Sequence, residues 1–333
     1  MSDVPILDAA TYRRWCAYLE EATGIVLGDG KDYMITTRLA GLRERTGAAD
    51  FAALLELVAA AGDRYRQEVV DALTTNETTW FRDRAPFTAL RDHVLPGIGR
   101  QFAAGDRHNL RVWCAACSSG QEPYSLAMTV LEHAEAHPGF PLDRVAILAT
   151  DISRRALAQA RTGVYGSLEM SRGLTPTHRE RFFDRVGDRW AIRPAVRKLV
   201  TYRSFNLLDD PAPLGSFDLI FCRYVAIYFD PEAKARLLRR LRGVLRPGGL
   251  LFLGATESLP RHRELALTPV RLAGATCYRA EGADRPPHDE RTNRGTSDRP
   301  REGKPTDGGT ADDPMDPARI AAEMDRIREL LRG

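Results

Sequence analysis

Small residues and a carboxylate come together in the stretch "CAACSSGQEP", Cys114 to Pro123. Ala, Ser and Gly side chains let a ligand approach the backbone closely. The stretch contains a single glycine, which makes it a poor phosphate cradle, and Glu122 at the start of the following helical run would repel a phosphate. We therefore expect a ligand with a cationic or hydroxyl-bearing group. A tight strand-to-helix turn, with Glu122 favouring the helix dipole, explains the same residues.

A second carboxylate, Asp151, ends the next apolar run, "RVAILATD". An acidic residue at the end of the second strand of a nucleotide-binding sheet can accept hydrogen bonds from both hydroxyls of a ribose. The alternative is a capping role that Asp151 shares with Ser153. Both interpretations place Asp151 where a strand gives way to a helix.

The stretch "LTTNETTWFRD", Leu73 to Asp83, has an unusual mixture of residues. A helix does not need its threonines and asparagine, and a surface loop does not need Trp80 beside Phe81. From the residues alone, Trp80 and Phe81 are core residues and Arg82 is a partner in a surface ion pair.

Two rhythms of apolar residues divide the chain. Residues 8 to about 75 show helical spacing, with Gly24 and Gly47 as helix-stop signals. From about Leu110, short runs rich in Val, Ile, Leu and Phe alternate with helical runs, which predicts an α/β fold with a mainly parallel sheet covered on both faces. Ligands of such sheets bind beyond the carboxyl ends of the strands, where the first two stretches lie.

Domain boundaries follow from these rhythms and from composition. We predict a small all-helical domain over residues 1–82 and an α/β domain over residues 83–280. A small antiparallel insertion at about 166–200 interrupts the α/β domain, unless that segment is an elaborated loop. Residues 281–315 are rich in Pro, Gly, Asp, Arg and Thr, which predicts a disordered linker. Residues 316–333 predict a short amphipathic helix.

Composition excludes several classes of protein. The 333 residues are 43% hydrophobic, with a formal net charge of +3, which is too small to argue for a nucleic-acid partner. Five cysteines without a signal-peptide pattern predict a reducing cytoplasm, and no apolar run approaches the roughly 18 residues of a membrane span. Cys114 and Cys117 have the spacing of half a zinc site, but no second Cys/His pair fits, so we expect no metal.

Several stretches resemble, in order, the signatures of the CheR family, the chemotaxis receptor protein-glutamate O-methyltransferases. They are "TTNETTWFRD", "CAACSSGQEPYSLAM", "ATDISRRALAQARTGVYG", "FNLLD", "FDLIFCRYVAIYFD" and "RPGGLLFLGATESL". The resemblance covers about residues 10 to 280. It implies a Rossmann-like class I methyltransferase domain that transfers a methyl group from S-adenosyl-L-methionine to receptor glutamates. The products are glutamate methyl esters and S-adenosyl-L-homocysteine, and the role is sensory adaptation.

The resemblance also assigns roles to residues at matching positions. Asn76, Thr78 and Arg82 match residues that contact the cofactor, and Arg82 matches one of the polar groups nearest the transferred methyl. Glu122 matches a residue that helps to bind the methionine portion, and Asp151 matches the ribose ligand.

Later positions complete the implied site. Asn206 and Leu207 match contacts near the adenine, and Arg223 and Tyr224 match contacts at the end of the next strand. Tyr228 matches the second polar group near the transferred methyl, so Arg82 and Tyr228 are the predicted catalytic residues.

One residue departs from the family pattern. The family usually has asparagine where this chain has Tyr224, in "CRYV". This departure keeps an alternative open, a cofactor-binding, non-methylating interaction protein of a chemosensory pathway. A methyltransferase for RNA or a small molecule is a further rival, but it would need a strongly basic face or a dedicated small pocket.

The predicted partner is the cytoplasmic helical bundle of chemotaxis receptors. Arg38 and Arg45 share one helix face, which is ordinary solvated charge or, with the resemblance, a contact for acidic receptor helices. The C-terminal stripe could dock on its own protein or stay loose, but we favour a partner helix. We expect a monomer. The short loop "RVGDRW" predicts methylation without a receptor tethering peptide.

Overall fold

The computed structural model describes residues 7–259 and 262–282. These residues belong to one unit, which ends at Ala283. Glu281, the first residue of the predicted linker, is still bonded to the sheet, because its backbone N–H donates to the carbonyl oxygen of Ala266 (2.8 Å). The rest of the linker and the predicted helix 316–333 lie outside the described residues.

The N-terminal part is all helical, as predicted. Its helices pack around a core that includes Trp15, Leu19 and Ile35, each with no exposed surface. The helical stretch that ends at the stop signal Gly47 divides into two helices at Leu39. The helices are α1 Ala9–Thr23, α2 Asp32–Arg38, α3 Ala40–Thr46, α4 Phe51–Ala60 and α5 Asp63–Leu73.

Strands and helices alternate in the rest of the chain. In chain order, the elements are α6 Ala85–Ala89, α7 Leu95–Ala104, β1 Leu110–Ala115, α8 Gln121–Ala136, β2 Val145–Asp151, α9 Arg154–Thr162, β3 Val164–Tyr165, α10 Ser167–Met170, α11 Pro176–Phe182, β4 Phe183–Val186, β5 Arg189–Ile192, α12 Pro194–Arg197, β6 Val200–Ser204, β7 Phe217–Cys222, α13 Pro231–Val244, β8 Leu245–Phe252, β9 Leu267–Leu272 and β10 Ala275–Ala280.

The main sheet has the order β6-β2-β1-β7-β8-β10-β9. The strands from β6 to β8 are parallel to one another. Strand β10 is antiparallel to both of its neighbours, β8 and β9. Buried clusters cover both faces, which confirms the predicted α/β class. The strand order reverses between β1 and β7, and that switch point is where ligands of open α/β sheets bind. The last two strands, β9 and β10, form an antiparallel pair at one edge of the sheet. Pro269 in β9 fits the edge position of that strand.

The insertion is a second, three-stranded sheet with the order β3-β5-β4. Its strands are antiparallel, and β4 and β5 are joined at Gly187 and Asp188. Gly187 has a φ of +61°, a conformation that glycine adopts without strain. The predicted antiparallel unit is therefore confirmed. Its sheet already begins at Val164, and Val200 starts β6 of the main sheet.

A helix that crosses a membrane must be long and apolar. Among the described helices, none combines the required length and apolar character.

Candidate active site

A cleft opens at the carboxyl ends of β1, β2 and β7, and residues of the helical part close one side of it. Its empty space is about 940 Å³, open solvent at the mouth included. The lining residues come from several distant parts of the chain: Ile25, Val26, Leu27, Lys31, Met34, Leu73, Thr74, Thr75, Asn76, Glu77, Thr78, Arg82, Ala116, Ser118, Glu122, Asp151, Ile152, Arg223, Tyr224, Val225 and Tyr228.

One wall of the cleft is the segment from Thr74 to Arg82, which joins the helical part to the α/β part. The backbone at the end of this segment is strained, because Phe81, Asp83 and Arg84 have φ values of +46°, +68° and +50°. Each such residue costs on the order of 1–3 kcal/mol. Burial of Trp80 and Phe81, and a hydrogen bond from the Phe81 N–H to Ser125 Oγ (3.0 Å), hold this conformation. The aromatic pair of the sequence therefore anchors the wall.

The β1–α8 turn forms the floor of the cleft. Ala116 and Ser118 have φ values of +58° and +52°, so the chain turns sharply here. The Ser118 N–H donates to Asp151 Oδ2 (2.7 Å), and its hydroxyl donates to the Asn76 carbonyl oxygen (2.9 Å). Ser118 therefore ties the turn to the end of β2 and to the wall.

Asp151 is buried at the end of β2. Its two carboxylate oxygens accept hydrogen bonds from the N–H groups of Ser118 (2.7 Å) and Ser153 (2.9 Å). Burial raises the pKa of Asp151, and these backbone donors offset part of that rise. Because a carboxylate can accept about four hydrogen bonds, Asp151 keeps acceptor capacity that faces the cleft.

Arg223 is a buried cation between two carboxylates. Its side chain is 1% exposed and donates to Glu122 Oε2, to Asp83 Oδ2 (2.6 Å) and to the Arg82 carbonyl oxygen (2.8 Å). Burial alone would lower the pKa of Arg223, but Glu122 and then Asp83 outweigh it and raise the pKa. The guanidinium thus stays charged and joins the floor of the cleft to its wall.

The charges of this cluster do not cancel. Glu122 and Asp83 each carry one negative charge when ionised, and Arg223 carries one positive charge. One negative charge is left in excess beside the cleft. Close to Glu122 and Asp83 this excess favours a cationic group over a phosphate, while Lys31 and Arg82 bring positive charge to other parts of the lining.

Arg82 and Tyr228 also line the cleft. The Arg82 guanidinium donates to the Glu77 carbonyl oxygen (3.1 Å) and lies 3.7 Å from the centre of the Tyr224 ring. The backbone of Tyr228 accepts a hydrogen bond from the Val26 N–H (2.8 Å). This bond holds the β7 side of the cleft against the helical part.

A buried hydroxyl in the lining has no hydrogen-bonding partner among residues 7–259 and 262–282. Thr74 is buried, and its Oγ1 makes no hydrogen bond to any other described residue. An unpaired buried hydroxyl is unfavourable, so a ligand with a complementary polar group would stabilise this site.

Family models match almost all of the described chain. The all-alpha domain of CheR methyltransferases matches residues 10–74, and the SAM binding domain of CheR methyltransferases matches residues 76–271. The chain belongs to the CheR methyltransferase family.

Curated relatives agree over most of their length. The "Chemotaxis protein methyltransferase 1" of Pseudomonas aeruginosa is 44% identical over 276 residues, which is 82% of this chain and 98% of the relative. The "Chemotaxis protein methyltransferase" of Vibrio parahaemolyticus is 47% identical, over 74% of this chain and 89% of the relative. The relative of that name from Escherichia coli is 36% identical, over 84% and 93%. The chain is therefore a methyltransferase of the chemotaxis type.

Most of the predicted site residues of this CheR-family chain line the one cleft. They are Asn76, Thr78, Arg82, Glu122, Asp151, Arg223, Tyr224 and Tyr228. Their assembly comes from three strand ends and the segment before α6. The contacts of the individual residues with a cofactor stay predictions.

The two residues predicted near the adenine, Asn206 and Leu207, are not among the residues that line this cleft, and their contact with the adenine stays a prediction. Asn206 lines a neighbouring cleft, which meets the first at Ile152. Its side chain donates to the Ala22 carbonyl oxygen (2.9 Å) and accepts from the Leu208 N–H (3.0 Å). Leu207 is buried in the core on the α13 side of the sheet. In this structure, therefore, Asn206 fastens the helical part and Leu207 packs in the core.

Sequence reasoning missed several residues of this site. Asp83 accepts hydrogen bonds from Arg223 and from the Tyr224 hydroxyl, and its position directly after Arg82 is a signal that could have found it. Glu257 follows β8 and accepts hydrogen bonds through Oε2 from the N–H groups of Tyr224 and Gly254, both at 2.7 Å. Lys31 lines the cleft from the helical part, and no local pattern of the sequence could have placed it there.

The two cysteines with half-zinc spacing, Cys114 and Cys117, are buried. Burial raises the pKa of the Cys114 and Cys117 thiols well above its usual value, and metal ligation needs thiolates. Within residues 7–259 and 262–282, no group of three or more His, Cys, Asp and Glu side chains could hold a metal ion.

Proposed function

We propose that this protein methylates chemotaxis receptors. It transfers a methyl group from S-adenosyl-L-methionine to the side-chain carboxylate of specific glutamates, and it releases S-adenosyl-L-homocysteine and a glutamate methyl ester. The observation that carries this proposal is the single cleft that joins Asp151 and the Glu122–Arg223–Asp83 cluster to Arg82 and Tyr228.

The cleft residues fit the proposed cofactor. Asp151 would accept hydrogen bonds from the ribose hydroxyls, since its carboxylate keeps acceptor capacity beside the Ser118 and Ser153 donors. The excess negative charge around Glu122 and Asp83 would favour the ammonium and sulfonium groups. The unpartnered hydroxyl of Thr74 would gain a hydrogen-bonding partner.

The proposed reaction needs no general base. S-Adenosyl-L-methionine supplies an electrophilic methyl group when bound. A glutamate side chain has an ordinary pKa of about 4.3, so it is already a nucleophilic carboxylate at neutral pH. The work of the protein is then to hold the reacting atoms close and in line. Arg82 would orient the carboxylate through its planar donor fork, and the Tyr228 hydroxyl would add a second polar contact.

The proposed substrate surface is the helical part next to the cleft. Arg38 donates to the carbonyl oxygens of Ala72 (3.4 Å) and Thr74 (3.3 Å), so its charge lies near the wall. Arg45 forms an exposed ion pair with Glu68, and exposed pairs contribute only about 0–1 kcal/mol. Both arginines would therefore stay available to acidic helices of the receptor bundle.

We further propose that the protein acts as a cytoplasmic monomer. The receptor's cytoplasmic helical bundle would be its substrate, and the predicted helix 316–333 would bind a separate partner helix. Light scattering of the purified full chain at micromolar concentration would test the first statement, and a dimer mass would contradict it.

One assay tests the proposed function. The full chain is incubated with S-adenosyl-L-methionine labelled in the methyl group and with cytoplasmic receptor fragments. The label should appear on receptor glutamates and should be released by mild base, because methyl esters hydrolyse in base. Matched fragments with glutamine at the modified positions should stay unlabelled, since they lack the carboxylate.

The same assay separates the rival functions. Cofactor binding without any labelled receptor would favour the non-methylating interaction protein. Base-stable label, or label on RNA or a small molecule, would favour a different methyltransferase. Either result would contradict the proposal.

A further inference from the structure

The ring of Tyr224 forms the surface on which Arg82 rests. The Arg82 guanidinium lies 3.7 Å from the centre of that ring, well inside the roughly 6 Å limit for an effective cation–π contact. The second contact of the guanidinium is the Glu77 carbonyl oxygen, at 3.1 Å from Nη1. Arg82 is thus held by a ring on one side and a backbone acceptor at one end.

The ring itself is fixed at several points. Its hydroxyl donates to Asp83 Oδ2 (2.5 Å) and accepts from the Ala255 N–H (3.2 Å). The Tyr224 N–H donates to Glu257 Oε2 (2.7 Å). Burial, and then the bond to Asp83, raise the pKa of Tyr224, so the phenol keeps the proton that it donates.

Gly254 makes room for this arrangement. A Cβ atom at position 254 would lie 2.9 Å from two ring carbons of Tyr224 and 2.7 Å from Glu257 Oε2, which is closer than real Cβ atoms approach. The backbone after β8 therefore packs directly against the ring. The ring has little freedom to rotate away from Arg82.

We propose that Tyr224 is a positioning residue for Arg82. This inference rests on the proposed function, in which Arg82 orients the carboxylate that accepts the methyl group. A guanidinium that is held before the substrate arrives loses less conformational freedom when it orients that carboxylate. An asparagine at position 224 has no aromatic face to offer. The tyrosine is therefore a device by which this chain holds its arginine.

Three substitutions separate the effect of the aromatic ring of Tyr224 from the effect of its hydroxyl group. Tyr224→Phe keeps the face under Arg82 and removes the hydroxyl, whereas Tyr224→Leu and Tyr224→Asn remove the face. We expect kcat to fall about tenfold in Tyr224→Leu and Tyr224→Asn, because Arg82 and Tyr224 are half-buried and a cation–π contact between exposed and desolvated extremes is of that order. Tyr224→Phe should stay within about threefold of the wild type. The KM for the receptor fragment should change less than kcat in all three.

The decisive experiment is a double-mutant cycle. Methyl transfer to receptor fragments is measured for the wild type, Tyr224→Leu, Arg82→Ala and the double variant. If Tyr224 acts through Arg82, Tyr224→Leu should change the rate by less than about twofold once Arg82 is absent. Tyr65→Leu is a matched control, because the Arg64 guanidinium also lies over the Tyr65 ring, at 5.0 Å, outside the cleft. It should leave the rate unchanged in both backgrounds.

The outcomes decide between the claims. Additive losses in the cycle, or a Tyr224→Phe variant as slow as Tyr224→Leu, would overturn the positioning role while leaving the proposed function intact. A wild type that transfers no methyl group would overturn both. A general loss of folding would appear as a lower melting temperature and weaker binding of S-adenosyl-L-homocysteine in Tyr224→Leu, and it would also count against the inference.

Discussion

Two buried aspartates of the main sheet lie at opposite ends of its strands, Asp218 at the amino edge and Asp151 at the carboxyl edge. Their surroundings differ. Asp218, near the start of β7, is 4% exposed and accepts from Arg107, from the Arg111 N–H (2.7 Å) and from Arg246 (3.0 Å). Asp151, at the end of β2, accepts from backbone N–H groups and faces the cleft. Arginines saturate the first carboxylate, and the second keeps capacity for a ligand.

This difference teaches how to distinguish a structural carboxylate from a binding one. A buried charge must be paired and hydrogen-bonded to persist. Asp218 satisfies this requirement within the fold, so its contribution is to stability. Asp151 is stabilised only in part, as its raised pKa indicates, and a ligand would complete its hydrogen bonding.

The largest expected effect is on turnover, and it comes from the substitution of Arg82 beside the cleft. Arg82→Lys keeps the charge but loses the planar fork that fixes direction, and a misplacement of about 1 Å can cost on the order of a hundredfold in rate. Turnover should fall by about that factor with an unchanged melting temperature, and Arg82→Ala should be at least as slow. Near-wild-type turnover in Arg82→Lys would remove Arg82 from the catalytic residues.

Arg107→Lys is the control for this substitution at the other edge. Arg107 pairs with Asp218 and is not among the cleft residues. Its replacement should lower the melting temperature and leave the turnover of folded protein unchanged. The reverse pattern would contradict the division between the two edges.

The next effect is on stability alone. Asp218→Asn should lower the free energy of unfolding by about 3 kcal/mol, the lower end of the range for a broken buried ion pair, because Arg107 and Arg246 are 22% and 34% exposed. Chemical denaturation would measure the loss, and an active-site titration would show unchanged turnover per folded molecule. A loss below about 0.5 kcal/mol would mean that the arginines do not depend on this carboxylate.

The sequence predicted one of these aspartates well. Asp151 could be singled out because a run of β-forming residues ends at it and a helix follows, so local periodicity fixed its place at the carboxyl edge. The alternation of apolar runs likewise predicted the α/β class and the helical N-terminal part. These features depend on neighbours in the sequence.

Other features could not be predicted, because they depend on contacts between distant residues. The hydroxyl of Tyr224 meets Asp83, which is 141 residues earlier in the chain, and Asn206 meets Ala22, at a separation of 184 residues. The edge strand β9 carries Pro269 and a mixed burial pattern, so it lacks the alternation of a half-buried strand. Contacts between residues that are far apart in the sequence are set by tertiary packing, which the spacing of residues along the chain does not reveal.

A smaller effect concerns the insertion. The β4–β5 hairpin turns tightly at Gly187 and Asp188, which leaves little loop to grip a receptor peptide. We predict methylation without a tethering peptide, so receptors with and without such a C-terminal peptide should be methylated at rates within about twofold of each other, which is less than one stable contact would give. A large advantage for the peptide-bearing receptor would refute this prediction.

The smallest effect is expected from the tail. Residues 281–315 have the composition of a linker, and residues 316–333 are the predicted amphipathic helix. Deletion of residues 284–333 should leave the methylation rate on isolated receptor fragments nearly unchanged, while Glu281 keeps its bond to Ala266. A large loss of rate or of soluble expression would show that the tail belongs to the fold.

The pH dependence of ligand binding tests the role of Asp151. Burial raises the pKa of Asp151, so its carboxylate takes up a proton at a higher pH than an ordinary aspartate, whose pKa is about 3.9. Because the charged form is the better acceptor, affinity for S-adenosyl-L-homocysteine should fall as the pH is lowered. The raised pKa also means that the charge of Asp151 costs stability at neutral pH, so the contribution of Asp151 to the free energy of unfolding should rise as the pH is lowered toward that pKa.

Calorimetry with S-adenosyl-L-homocysteine on the wild type, Asp151→Asn and Asp218→Asn tests the central claim most directly. We predict that the wild type binds despite Tyr224, and that Asp218→Asn binds equally well with a lower melting temperature. Asp151→Asn should bind at least about tenfold more weakly, because hydrogen bonds to a charged acceptor are worth about 1.5–3 kcal/mol each, and its affinity should not depend on pH. Undetectable heat with the wild type, or wild-type affinity in Asp151→Asn, would contradict the assignment of this cleft.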